Sequence, residues 1–252
     1  MMEQSLTVAA AQCIPVKGNI EENLRRHAVF INTAAQAGVD VLLFPELSLT
    51  GYQPELATAL AITVEDSRLS ILKQLAVCNQ MSIIVGAPLL NGDDKPLLGA
   101  MVFHGDGTVQ RYCKMHLHAG ERDFFSAGER LLGFNMRNVS FGLAICADAN
   151  HSSHFEQNAL AGCSVYLASM LISAAGYGDD AGRLQRNAEH FSTAVVMANY
   201  CGLSGGWLAI GKSAVWDENG RLIVQGEKTQ QSLIIGRKRS SGWQGNCISV
   251  DI

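Results

Sequence analysis

Short apolar runs recur along the chain at Leu6 to Gln12, Val39 to Phe44, Ser82 to Ala87, Ser140 to Ile145, Val165 to Ser169 and Ala194 to Asn199. Each has strand length. In the clearest of them, Val39 to Phe44, only Asp40 interrupts the apolar character. Such runs lack the strict alternation of a sheet with one wet face, so they read as strands covered on both sides. A chain built this way needs layers outside its sheets.

The segments between the runs supply them. Asn19 precedes Ile20 and Glu22 as in a capping box, and the helix it opens is predicted to end at Gly38. Asp66 is placed to cap a second helix, whose Leu69, Leu72, Leu75 and Ala76 share one face. Ser152 or Ser153 opens a third, ending near Gly162, and Asp179 or Asp180 is predicted to cap a fourth through about Phe191. Two hairpins interrupt this alternation. One joins Leu97–Phe103 to Thr108–Cys113 through His104-Gly105-Asp106-Gly107, and the other joins Ala214–Trp216 to Leu222–Val224 through Asp217-Glu218-Asn219-Gly220. The pattern predicts an α/β fold with a mixed sheet or two packed sheets and helices outside. No Pro/Ser-rich linker or break in composition divides it, so residues 1–252 are expected to form a single domain. Periodicity fades after Arg237, which predicts a C-terminal tail over about 238–252 that packs on a partner subunit.

Composition narrows the function. The net charge of −4 is spread without a basic stripe or polybasic run, which argues against nucleic-acid and membrane partners. No apolar run nears the ~20 residues of a membrane span, and Met1-Met2-Glu3-Gln4-Ser5 does not read as a signal peptide. Seven cysteines, with no C-x-x-C pair, do not make a disulfide framework, so a cytoplasmic location is expected.

Chemistry concentrates where strands end. Cys146 closes the run Ser140-Phe141-Gly142-Leu143-Ala144-Ile145, rigidly held yet able to face a cleft. A lone intracellular cysteine is ordinarily a small core hydrophobe. It becomes a nucleophile only if something takes its proton. Glu46 ends the Val39–Phe44 run in the same manner, and partial desolvation at a strand end suits a carboxylate to acid–base work. Lys114 follows the first hairpin, where an ammonium in a cleft can hold a developing oxyanion, and Glu121 shares its loop. Taken singly, each of these is an ordinary loop charge. The histidines His116, His118, His151 and His154 lack the H-E-x-x-H spacing of a helical zinc site, so no metal is expected.

Together the motifs resemble the nitrilase superfamily of carbon–nitrogen hydrolases, amidase-type branch. The resemblance rests on Leu43-Phe44-Pro45-Glu46-Leu47 with Gly51-Tyr52, on Tyr112-Cys113-Lys114-Met115-His116-Leu117 with Glu121 and Gly128, and on Gly142-Leu143-Ala144-Ile145-Cys146-Ala147-Asp148. Weaker matches are Ala198-Asn199 and Gly211-Lys212-Ser213. The resemblance implies a four-layer αββα sandwich, a homodimer or higher homo-oligomer, and a Glu46-Lys114-Cys146 triad needing no cofactor. Glu46 is then the general base and acid, Lys114 the oxyanion holder and Cys146 the nucleophile, with Glu121 beside them. Tyr52, the Ala147 backbone and the wall near Met170 are expected to meet the substrate, a small amide. One departure stands out. Many amidase members place Arg two residues after the Asp, whereas this chain continues Asp148-Ala149-Asn150-His151. Carboxylate-binding specificity is therefore not carried over, and the largely apolar Leu167–Ile172 segment favours a neutral or modestly polar acyl group.

Other readings compete. A non-catalytic binding or scaffold protein with the same fold is separated by labelling of the active-site thiol. A nitrile or carbamoyl hydrolase is separated by a substrate panel. Metal analysis separates a metal hydrolase. A Cys-His thiol protease would use His116 as base, but no protease signature surrounds Cys146.

Overall fold

A computed structural model describes residues 5–252; the first four residues, on which the reading of the N-terminus rests, lie outside it. The first half of the chain runs β1 (Leu6–Gln12), α1 (Ile20–Gln36), β2 (Val41–Leu43), α2 (Ala57–Leu60), α3 (Ser70–Asn79), β3 (Ser82–Leu89), β4 (Leu97–Phe103) and β5 (Val109–Cys113). The second runs β6 (Gly133–Met136), β7 (Val139–Ile145), α4 (Ser152–Leu160), β8 (Val165–Ser169), α5 (Tyr177–His190) and β9 (Ala194–Ala198). It continues with β10 (Leu203–Ser204), β11 (Trp207–Leu208), β12 (Ala214–Trp216), β13 (Leu222–Gln225), β14 (Ser232–Arg239) and β15 (Gly242–Ser249).

Two large sheets result. One has the order β15-β14-β1-β2-β3-β4-β5 and the other β13-β12-β9-β8-β7-β6. Each has a parallel centre, β1-β2-β3 and β7-β8-β9, with antiparallel strands on its flanks. The sheets pack face to face through Val8, Leu43, Ile84, Leu143, Leu167, Val196 and Ile234. Alternate residues point outward. Leu42, Ile83 and Val85 meet Phe30, Ile31, Leu72 and Ala76 of α1 and α3, while Tyr166, Val195 and Met197 meet Phe155, Leu184 and Ala188 of α4 and α5. The result is the four-layer αββα sandwich. Both faces of each central strand are dry, which is why the sequence showed continuous apolar runs. Emptying one of these positions, as in Phe30→Ala, would cost about 3–5 kcal/mol.

Local signals were largely sound. Asn19 Oδ1 accepts from the Glu22 N–H at 3.0 Å, and Gly38 takes the left-handed φ of +68° just beyond α1. Asp66 caps a short 3₁₀ turn, Ser67–Leu69, that runs into α3. Two expectations need correction. The fourth helix begins with Gly176 at its N-cap, so Asp179 and Asp180 sit inside its first turn, where the helix dipole favours carboxylates. The segment expected as a tail, about 238–252, instead holds the end of β14 and all of β15, a hairpin paired from Ser232↔Ser249 to Arg239↔Gly242 at the edge of the first sheet. Gly242 and Gly245 dilute its apolar signal, and β15 alternates between exposed and half-buried positions. Gly245 has a structural reason: a Cβ there would lie 2.5 Å from the Cβ of Val224.

Candidate active site

The C-terminal ends of the parallel strands from both sheets meet at one place, where ligands of open α/β sheets bind. Ser169 Oγ, at the end of β8, donates to the Phe44 carbonyl at 2.8 Å and ties the two sheets together there.

Glu46 follows β2 on a loop fixed from below by polar residues of α1. Asn23 Nδ2 donates to the Val16 and Leu49 carbonyls at 2.8 and 2.9 Å. His27 stacks on Phe44 at 4.0 Å and donates from Nδ1 to the Asn23 carbonyl at 2.6 Å. Its Nε2 therefore accepts from Ser48 Oγ, at 3.0 Å, and Ser48 Oγ in turn accepts from the Gly86 N–H at 3.1 Å. Gly86 is required: a Cβ would lie 2.3 Å from the Leu47 nitrogen. Tyr200 donates to the Glu46 carbonyl at 2.5 Å. The carboxylate is thus held by a backbone with little freedom.

Lys114 leaves β5 and turns inward. Its Nζ donates to Glu46 Oε1 at 2.6 Å and to Glu121 Oε1 at 2.8 Å, and all three side chains are buried. Glu121 is fixed further by the Tyr52 hydroxyl, at 3.0 Å, and by the His118 N–H, at 2.7 Å. Gly128 lets its own chain close on this loop, since a Cβ there would meet the Cys113 carbonyl at 2.2 Å.

Cys146 follows β7 with a left-handed φ of +45°, an unfavourable setting for a side-chain-bearing residue and one that recurs at functional sites. Asp148, two residues on, makes this turn possible. Its carboxylate accepts from the Ile145 N–H at 3.1 Å and from the Tyr112 hydroxyl at 2.7 Å. It also accepts from the Met115 and His116 N–H groups at 3.0 and 2.8 Å. One buried carboxylate therefore clamps the cysteine turn to the lysine loop. Sequence reasoning had Asp148 in a motif but gave it no role; a carboxylate after a strand end, with no nearby cation in sequence, was the available signal.

The electrostatics follow from burial. Desolvation pushes the Glu46 carboxyl up, against the pull of the Lys114 ammonium and with added push from Glu121, to about 7. Burial also pushes the Cys146 thiol up, and the nearby Glu46 carboxylate adds to this. Burial works against the Lys114 charge, but Glu46, Cys146 and Glu121 outweigh it and hold the ammonium firmly protonated. The resting thiol is therefore protonated, with a near-neutral base beside it.

Glu46, Tyr52, Glu121 and Cys146 line a cavity of about 220 Å³, with Lys114 buried beside it. Its far wall is Leu171, Ile172 and Ser173, and its rim carries His118, Asn150, Gly176, Asp180 and Trp207. Asn199 holds that far wall, its side chain accepting from the Ile172 N–H at 2.8 Å and donating to the Ile172 carbonyl at 3.1 Å. Of the residues expected to meet substrate, Tyr52 lines the cavity. Ala147 lies buried in the turn after Cys146. Met170 packs among α4 and α5 residues behind the second sheet, so its neighbours Leu171 and Ile172 form the wall instead. Asp180 and Trp207 were not foreseen, because neither has a distinctive sequence setting. A larger depression of about 730 Å³ near Arg111 and Arg130 contains none of Glu46, Lys114 and Cys146. Among the described residues no group of His, Cys, Asp and Glu is arranged to hold a metal ion, and no helix is long and apolar enough to cross a membrane.

Comparison with known proteins agrees with this architecture. An amidase of the nitrilase superfamily from Nesterenkonia AN1 superposes with a TM-score of 0.84 over 91% of this chain and 90% of its own, at 21% identity. The glutamine-dependent NAD(+) synthetase of Thermotoga maritima is 28% identical over 239 residues, 91% of this chain, but the chain spans only 41% of that enzyme's length. An (R)-stereoselective amidase from Pseudomonas is 29% identical over 132 residues, 52% of this chain and 47% of that enzyme. The model of the carbon-nitrogen hydrolase family matches residues 7–244, nearly the whole length that carries the two sheets and the cavity, and the chain belongs to that family.

Proposed function

We propose that this carbon-nitrogen hydrolase cleaves the C–N bond of a small amide through a thioester on Cys146. The observation that carries the reading is that Glu46 and Cys146 line one small cavity while the Lys114 ammonium is bonded to Glu46 at 2.6 Å. Cys146 Sγ attacks the carbonyl carbon as its proton passes to Glu46. The Lys114 ammonium and the Ala147 N–H receive the oxyanion. Glu46 then gives the proton to the leaving nitrogen, the C–N bond breaks, and ammonia departs. Water attacks the thioester while Glu46 takes its proton, the C–S bond breaks, and the thiol regains a proton from Glu46 as the acid leaves. Glu121 holds the lysine in place throughout.

A buried, protonated thiol beside a base suits an amide, whose tetrahedral intermediate places the nitrogen where Glu46 can protonate it. A nitrile would first form a thioimidate needing water before ammonia could leave. Support also comes from the Nesterenkonia amidase, variants of which carry the acetamide moiety of fluoroacetamide on the active-site cysteine. The test is a panel of amides, nitriles and ureides with matched acyl skeletons, glutamine included, with ammonia and acid both measured. Amides should turn over fastest. Faster turnover of the nitrile across matched pairs would overturn the amide assignment.

A further inference from the structure

The cavity is acidic on both sides of its opening. Glu46 and Glu121 line its floor and Asp180 its rim, while among the described residues no lysine or arginine lines it. Lys114 partly offsets the Glu46 and Glu121 carboxylates, buried and bonded to both. At the rim the compensation is one-sided. Arg183 reaches Asp180 Oδ1 at 3.2 Å and also holds the Asn150 side chain. Asp180 Oδ2 accepts no hydrogen bond among the described residues. Burial pushes the Asp180 carboxyl up, against the pull of Arg183. Its second oxygen is not a buried unpartnered atom and is left free to meet a cation entering the cavity. Trp207 adds an aromatic surface to the same cavity, and aromatic faces also attract cations. Leu171 and Ile172 form an apolar wall of the kind a methylene chain requires.

We infer that Asp180, with Trp207, forms a subsite for an ammonium group at the far end of the substrate, so that the preferred substrates are ω-amino amides. The inference rests on the amide-hydrolysis reading above and specifies the substrate class for it. A carboxylate on the substrate would face Asp180, Glu121 and Glu46, so monoamides of dicarboxylic acids are disfavoured.

The test compares butanamide, 4-aminobutanamide and succinamate, and extends the amino series from 3-aminopropanamide to 6-aminohexanamide, each with its uncharged counterpart. At least one ω-amino amide should exceed its counterpart in kcat/KM by tenfold or more, and succinamate should fall below butanamide. In Asp180→Asn this ratio should drop toward one, and Asp180→Glu should restore a preference for at least one chain length. Ratios at or below one for every length in the wild type, or a ratio unchanged in Asp180→Asn, would overturn the subsite. The wild-type ratios decide if the Asn variant does not fold. Protection of Cys146 from iodoacetamide reads the same preference without turnover. If no amide is hydrolysed, the hydrolysis reading fails, while stronger protection by ω-amino than by neutral amides still supports the subsite and equal protection refutes it.

Discussion

Lys114 Nζ lies 2.6 Å from Glu46 Oε1, and both side chains are sealed from solvent. The pair is not a surface ornament. A buried ammonium shared by two carboxylates fixes the position of each and pulls the Glu46 carboxyl down against the desolvation that raises it.

Glu46→Gln keeps the shape of the base but removes its proton affinity, so turnover should fall below detection while the fold remains. Lys114→Ala is a harsher change. It leaves Glu46 and Glu121 buried without their counter-ion, a loss that typically costs about 3–5 kcal/mol, and it also removes an oxyanion contact worth ~10²–10³ in rate. Because both remaining groups are acids, the lost stability should return partly at lower pH as Glu46 protonates. Melting curves at pH 8 and pH 5 check this. An equal destabilisation at both values would contradict it.

Glu121 touches Lys114, Tyr52 and the His118 backbone but not Cys146 directly in hydrogen bonding. Glu121→Gln should therefore slow turnover without abolishing it and change the melting temperature little. Its pH profile should shift, since one of the charges raising the Glu46 carboxyl is gone. A fully active variant with an unshifted profile would leave Glu121 without a role in the reaction.

Asp148 joins the cysteine turn to the lysine loop, and its loss acts on both. Asp148→Asn keeps one acceptor but places an N–H₂ where backbone N–H groups now donate. Destabilisation of about 1–3 kcal/mol is expected from the donors left unmet, with a larger loss of rate than of stability. Denaturant unfolding and kcat/KM measured on the same preparation test it, and an unperturbed rate would contradict the clamp.

Burial lowers His27 from its ordinary value of 6.5 to about 4. The unfolded chain therefore binds this proton first. The stabilisation is fully present above about pH 6.5 and is lost as pH falls toward 4, of order 3 kcal/mol for the group alone. Glu46 works the opposite way, since its raised carboxyl binds a proton in the folded state first and adds stability as pH falls below 7. His27→Gln should remove the first contribution and leave the second, flattening or reversing the acid limb of the stability curve. An acid limb as steep as that of the wild type would contradict the assignment.

The fold was legible wherever hydrophobic periodicity and capping agree, as at β1, α1, β8 and the β4–β5 hairpin. It was not legible where alternation is weak, as in β15, or where an acidic residue can sit at a cap or in a first turn, as for Asp180. The three positions proposed to react showed as strand-end or loop residues of ordinary type, and their order along the chain gave them weight. The groups that position them did not show. Asn23, Ser48 and Asn199 act through backbone atoms far away in sequence, and His27 through the Ser48 hydroxyl, so these polar residues leave no local pattern. Met170 misled for a related reason: next to a strand end, a shift of one residue moves a side chain from the cavity to the core behind the sheet.

The most direct measurement is mass spectrometry of the enzyme quenched during turnover of a slowly hydrolysed amide. A single acyl adduct on Cys146 is expected, with ammonia released equal to the adduct plus the free acid formed, and neither adduct nor ammonia in Cys146→Ala. The exposed Cys78 and Cys247 should remain unmodified. Amide hydrolysis that persists in Cys146→Ala, or an acyl group found on another residue, would contradict it.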